Sequence, residues 1–223
     1  MSKSIRWGDV LSVVFSIAIV LGVAAQTLQS FHWAALLSSD QPTVWYLIRS
    51  TGITAYVLLT VATLWGLALS SRVVKDWSPG ALSMLLHSTV SGLAIVASII
   101  HATLPLFDDY FTYHLRDILI PFNGPYRPLA VGLGTLSLWI ILAVGLTFPL
   151  RKQLGNRLWK LIHFSSYLGF GLISMHALFA GADASKIGFQ IMIAVSVLFV
   201  AILLGYRVGN QKRKVVDTAK AAH

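Results

Sequence analysis

Six apolar stretches, each long enough to cross a bilayer as a helix, constrain this chain more than any other feature. They fall at residues 10–31, 44–69, 81–107, 129–150, 158–180 and 187–206. A transmembrane helix takes about 20 apolar residues. Barrel strands would be shorter and would alternate in polarity. These stretches are continuous, so helices are expected. Composition agrees: 56% of residues are hydrophobic, 11% are charged, and mean hydropathy is +0.74. A soluble domain carries about 25% charged residues, so too little polar surface is present here to cover a water-facing globule. The expected class is an all-α integral membrane protein, a six-transmembrane-helix bundle over residues 1–206. A basic cytoplasmic tail, 207–223, is expected to be disordered. No soluble catalytic domain has room within these 223 residues. Only the connection 108–127 is long.

Charge predicts the orientation. With the N-terminus cytoplasmic, the inside holds Lys3, Arg6, Arg72, Lys75, Arg151, Lys152, Arg157, Lys160, Arg207, Lys212, Arg213, Lys214 and Lys220, against Asp9, Asp76 and Asp217. The outside holds Arg49, Arg116, Arg127 and Lys186, against Asp40, Asp108, Asp109, Asp117 and Asp183. The inside is therefore +10 and the outside −1. Lys and Arg resist translocation, so both termini are expected on the cytoplasmic side of the cell inner (plasma) membrane. The net charge of +9 then reads as a topology signal facing anionic lipid, not as a nucleic-acid footprint. Lys3, Arg6 and the run ending at Val23-Ala24-Ala25 also resemble a signal peptide with a cleavage site. The run is long for that and continues past the site, so an uncleaved first helix is expected.

The chain has no Cys and no Glu. Disulfides, thiol catalysis, iron–sulfur clusters and Cys-ligated zinc are excluded. Four of the seven histidines fall within predicted spans. Polar side chains at membrane depth are costly and mark functional candidates. His87 and His101 lie fourteen residues apart on the third span, and His163 and His176 thirteen apart on the fifth. Those two spans run in the same direction, so His87 pairs in depth with His163, and His101 with His176. Fourteen residues rise about 21 Å and return to within roughly 40° of the same face. Thirteen residues fall about 140° short of four turns. The fifth span therefore needs local tightening, or its two histidines face different sides. Neutral imidazole is a good iron ligand. Two histidine pairs at matched depths point to two stacked b haems: iron held by His87 and His163 on the inner side, and by His101 and His176 on the outer. Gly92, Gly169 and Gly171 offer small residues where a porphyrin face could pass. Four histidines that merely hydrogen-bond neighbouring helices are the plainer reading. A divalent-metal path would recruit carboxylates, and no Asp falls in the middle of any span.

The sequence resembles the ferric reductase-like transmembrane domain family. The resemblance rests on Ile48-Arg49-Ser50-Thr51-Gly52 with Ala55-Tyr56, on His87 and His101, and on Pro121-Phe122 with Tyr126-Arg127-Pro128-Leu129. It extends to Arg157-Leu158-Trp159-Lys160-Leu161-Ile162-His163 and His176. The family includes the membrane parts of NADPH oxidases and ferric reductases, and the haem-binding membrane subunit of the bacterial methionine sulfoxide reductase system. The resemblance implies six helices, two b haems and electron flow outward from the cytoplasmic side. Larger members carry a cytoplasmic FAD and nicotinamide domain after the last helix. Here no dinucleotide fingerprint follows. The electron donor is therefore expected to be a cytoplasmic flavoprotein reductase, a quinol, or a flavin supplied by or shared with a partner. Some relatives carry an aromatic six residues after the inner fifth-span ligand. This chain has Gly169 there, with Phe170 and Tyr167 as alternative bridges.

The expected function is a transmembrane di-haem cytochrome b that passes electrons to an acceptor on the outer side. It would serve as the electron-transfer component of an oxidoreductase and would not oxidise NAD(P)H alone. The alternative is a non-catalytic haem-binding membrane module, a sensor or an assembly subunit. Arg49 either snorkels to the interface or binds an outer haem propionate. His32, His114, Asp108 and Asp109 are outer-surface groups. Arg151, Lys152 and Arg157 anchor the inside, or recruit an acidic reductase or a flavin phosphate. Trp7, Trp33, Trp45, Trp77 and Trp159 fit an aromatic belt.

Overall fold

The computed structural model describes residues 43–71, 73–74, 79–108 and 110–221, with side chains as far as residue 210. The first predicted span, the Val23–Ala25 cleavage reading, His32 and much of the second-to-third connection lie outside the described residues. Within them, all regular structure is helical: α1 (Thr43–Ser70), α2 (Gly80–Thr103), α3 (Leu115–Leu119), α4 (Pro128–Thr147), α5 (Arg151–Ala180) and α6 (Ile187–Ala221). Five of these, all but α3, are long and apolar enough to cross a bilayer. They correspond to the second to sixth predicted spans.

Local chemistry sets the ends. Pro105 cannot donate to a helix ladder, and α2 gives way to a 3-10 turn, Leu104–Phe107. Pro128 opens α4 at its first turn, where its missing N–H costs nothing. The long connection holds the short α3, a helix the hydropathy pattern does not signal. Buried Asp117 organises it, accepting hydrogen bonds from the His114 backbone N–H at 2.8 Å and from Asn123 Nδ2. Helix α6 runs past Tyr206 to Ala221, where the sequence reading expected a disordered tail from residue 207. Straight-chain Gln, Lys and Arg with Ala are strong helix formers, and no Pro interrupts them.

The core has two parts. Tyr56, Leu67, Phe170, Ile193 and Val200 join α1, α5 and α6. Leu58, Leu59, Ala94 and Ile141 join α1, α2 and α4. Most buried polar groups are paired, as a low-dielectric interior demands; among the described residues Ser71 Oγ, His87 Nδ1 and Trp159 Nε1 are the exceptions. The Ser174 hydroxyl donates to Phe170 O and takes a bond from Tyr56 OH at 3.2 Å. Ser137 donates to Gly169 O at 2.9 Å, clasping α4 to α5. The outward surface is the opposite of a soluble protein's: Leu85, Leu161, Leu168, Ile191, Leu198 and Ile202 are all exposed. An apolar belt of this extent is compatible with contact to a lipid bilayer.

Candidate functional site: two facing histidine pairs

Helices α2 and α5 run parallel, and α1 and α4 run against them. The proof is in the neighbours. Gly52 near the start of α1 abuts His101, and Gly66 near its end abuts His87. This arrangement brings the four membrane-depth histidines into two pairs. The rings of His87 and His163 have centroids 6.2 Å apart at an interplanar angle of 75°. Those of His101 and His176 are 6.1 Å apart at 73°. Between His163 and His176, α5 is unbroken. Its one non-helical residue is Gly155, at φ 75°. The local tightening considered from the spacing is absent, so these two side chains leave α5 on different sides.

The surroundings of the pairs differ. In the His101/His176 pair, His101 Nδ1 lies 2.9 Å from Ile48 O and His176 Nδ1 lies 2.9 Å from Ala130 O. A carbonyl only accepts, so each Nδ1 carries the proton and each Nε2 keeps a free lone pair. In the other pair, His87 Nδ1 is buried with no partner at hydrogen-bonding geometry. His163 is stacked instead on Trp159, centroids 5.1 Å apart at 20°. Arg151 lies 4.5 Å above that indole, whose Nε1 is buried and unpartnered. Arg207, from α6, donates to Tyr167 OH at 2.7 Å and lies 4.6 Å over the Phe164 ring.

Several sequence readings change in detail. Trp159, read as a belt residue, covers one face of His163. Gly169 packs against Ile140 and Ile141 of α4, not along a histidine pair. Gly92 and Gly171 have open space where a Cβ would stand. Phe170 stacks on Tyr56 at 5.9 Å, while Tyr167 turns to Arg207. The sequence reading missed Gly52, Gly66, Gly134 and Arg207 as neighbours of the pairs. A signal for two of them was present: Gly52 and Gly66 are fourteen residues apart, like His87 and His101.

Arg49 pairs with Asp183, and Lys186 Nζ holds the same carboxylate at 2.7 Å. Burial raises the Asp183 carboxyl, but hydrogen bonds from Lys186 and Arg49 outweigh it and hold the group below the usual carboxylate value. A depressed carboxyl stabilises the fold above its unfolded value of about 3.9. That contribution is lost as pH falls through the folded value. Thermal unfolding in detergent should therefore show an acid loss confined below about pH 4, absent in Asp183→Asn. Arg49→Ala should cost on the order of 1 kcal/mol, because Lys186 still compensates Asp183 and the pair is only partly shielded from solvent. An unchanged melting temperature in Arg49→Ala would contradict this.

Each pair could hold a metal by one imidazole nitrogen from each ring. With metal–nitrogen bonds of about 2 Å, the ring centres stand on the order of 6 Å apart, which is the separation found. Among the described residues no group of three or more His, Asp or Glu could hold a bare metal ion. Two imidazoles suit a metal whose remaining positions a macrocycle fills. The chain matches no family model, no curated protein and no solved structure.

Proposed function

We propose that this chain is a membrane cytochrome b that carries electrons between two haems, one held by His87 and His163 and the other by His101 and His176. The observation that carries the reading is the near-identical 6.2 and 6.1 Å separation of two histidine pairs, on helices apolar enough to span a bilayer. Each bound haem would supply a reversible one-electron couple. The chain's own residues would do the rest. The four imidazoles would hold the two irons, two to each, which favours electron transfer over oxygen binding. Arg207 and the unpartnered Trp159 Nε1 would hold carboxylates of the group beside His163, through charge-assisted and neutral hydrogen bonds. Arg49 is the corresponding candidate at the other pair, where it already shares Asp183.

The basic end, with Arg151, Lys152, Arg157 and Lys160, is assigned to the cytoplasm by the positive-inside rule. Electrons enter there from a flavoprotein reductase or a quinol and leave toward an outer acceptor. The resemblance to the ferric reductase-like family supports this direction. The test is a proteoliposome holding a membrane-impermeant ferric acceptor, with orientation scored by protease cleavage at the 212–214 basic cluster. With NADPH as the reductant, a flavin reductase added outside inside-out vesicles should reduce the trapped acceptor only when the chain is present. Haem that binds and never passes electrons across would instead support the sensor or assembly module.

A further inference from the structure

One local device recurs twice around the histidine pairs, and its glycine a third time. Ile48 O accepts from His101 Nδ1, and one turn on, a Cβ on Gly52 would stand 2.9 Å from His101 Cε1. Ala130 O accepts from His176 Nδ1, and one turn on, a Cβ on Gly134 would stand 2.7 Å from His176 Nδ1. At His87 only the glycine recurs: a Cβ on Gly66 would stand 2.9 Å from His87 Cε1, and His87 Nδ1 has no partner at hydrogen-bonding geometry. The logic is helical geometry. A side chain leans toward the N-terminus and covers the turn before its own Cα. The side chain at i+4 therefore shields the carbonyl of residue i, which glycine leaves open to a second donor. Any real Cβ at these three distances would push the imidazole away.

The fourth histidine lacks the device. Thirteen residues along α4 from Ala130 and Gly134 stand Ala143 and Thr147, matching the His163-to-His176 spacing. The Thr147 hydroxyl itself occupies Ala143 O at 2.8 Å.

We infer that Gly52 and Gly134 are positioning residues, opening helix carbonyls to the imidazoles of His101 and His176 so that each ring is held by Nδ1 and presents Nε2 to its partner, while Gly66 only makes room for the His87 ring. The inference deepens the haem reading and rests on it for its consequence. The His101/His176 site has two carbonyl-held ligands, and the His87/His163 site has none at full hydrogen-bonding geometry. A ligand imidazole whose other N–H is hydrogen-bonded is oriented and made more basic. The two sites are thereby made unequal by backbone groups alone.

Two measurements on the full chain test this. The first needs no haem: nitrogen-15 NMR of the imidazoles at a pH where they are neutral. His101 and His176 should be the Nδ1–H tautomer in the unaltered protein, and should lose it in Gly52→Ala and Gly134→Ala respectively. Mixed tautomers at both in the unaltered protein would overturn the inference. The second uses His101→Gly and His163→Gly, each loaded with haem and supplied with imidazole or 1-methylimidazole. The methylated ring cannot donate to a carbonyl. Losing one net hydrogen bond corresponds to about tenfold in affinity. Imidazole should therefore win by about tenfold in the His101→Gly cavity, with no difference in the His163→Gly cavity. Equal binding in both cavities would overturn the inference even if the alanine variants fail to fold. A chain that shows the Nδ1–H tautomers and binds no haem would sink the proposed function and leave the positioning role standing.

Discussion

His101→Ala protein, purified in detergent, is expected to carry one haem where the unaltered chain carries two, and His176→Ala should do the same. His87→Ala and His163→Ala should each lose the other haem. The size of the effect follows from the geometry. On the proposed reading each ring would supply half of the protein's hold on an iron, and hydrogen-bond partners of such ligands alone are worth about 10–100-fold in affinity. Removing the ligand should cost more than about 100-fold, enough to empty a site during purification. Selectivity is the stricter check. The pairs are separated by fourteen residues on α2 and thirteen on α5, about 20 Å along a helix. Loss at one site should leave the Soret and α-band positions of the other unchanged. Equal loss of both haems from all four variants would argue for collapse of the bundle, not for two independent pairs.

Much of this arrangement was legible beforehand, for definite reasons. Long apolar runs are one-dimensional signals, so helix placement followed to within a few residues for most spans, although the third, read as 81–107, overran the stop that Pro105 imposes after Thr103. The two His spacings encode depth, because rise per residue is constant along a helix. Rotation around the helix is less transferable. The 140° mismatch on α5 left two solutions open, and only tertiary packing chose the unbroken helix with rings on different sides. The helix continuing through residues 207–221 was hidden because hydropathy reports solvent preference, whereas propensity of Lys, Arg, Gln and Ala favours helix independently of it. For Arg49 the sequence offered snorkelling to the interface or a haem propionate, and the ion pair with a protein carboxylate was not foreseen. Asp183, 134 residues away in sequence, could not be matched to it without the fold. The close approach of Gly134 to His176 was equally invisible, since it depends on which faces of α4 and α5 meet.

The purified chain should show no reduction of its haems by NADPH or NADH alone, and rapid reduction once a soluble flavin reductase is added. A nicotinamide needs a site that grips its phosphates and sets its ring against a hydride acceptor such as a flavin. A domain able to do so takes on the order of 100 residues. The non-spanning pieces of these 223 residues are short, and none carries a Gly-rich turn between strand and helix. Hydride chemistry also delivers electron pairs, whereas each haem accepts one electron, so a flavin is the natural converter. The basic group Arg151, Lys152, Arg157 and Lys160 offers a docking face of the right sign for an acidic partner. Arg151 and Trp159 lead from it to His163. Anaerobic mixing monitored at the haem bands separates the cases. Reduction by NADPH alone, with flavoprotein contamination excluded, would refute the requirement for a partner. Reduction by a quinol without flavoprotein would identify the lipid-phase donor instead.

The most direct test of the central claim is haem stoichiometry by pyridine haemochrome on the full chain, paired with a reduced-minus-oxidised spectrum. The account predicts two haems b per chain with low-spin bis-imidazole spectra, and none in the variant with His87, His101, His163 and His176 all replaced by Ala. Well-folded unaltered protein with no haem, or undiminished haem in the four-histidine variant, would contradict it.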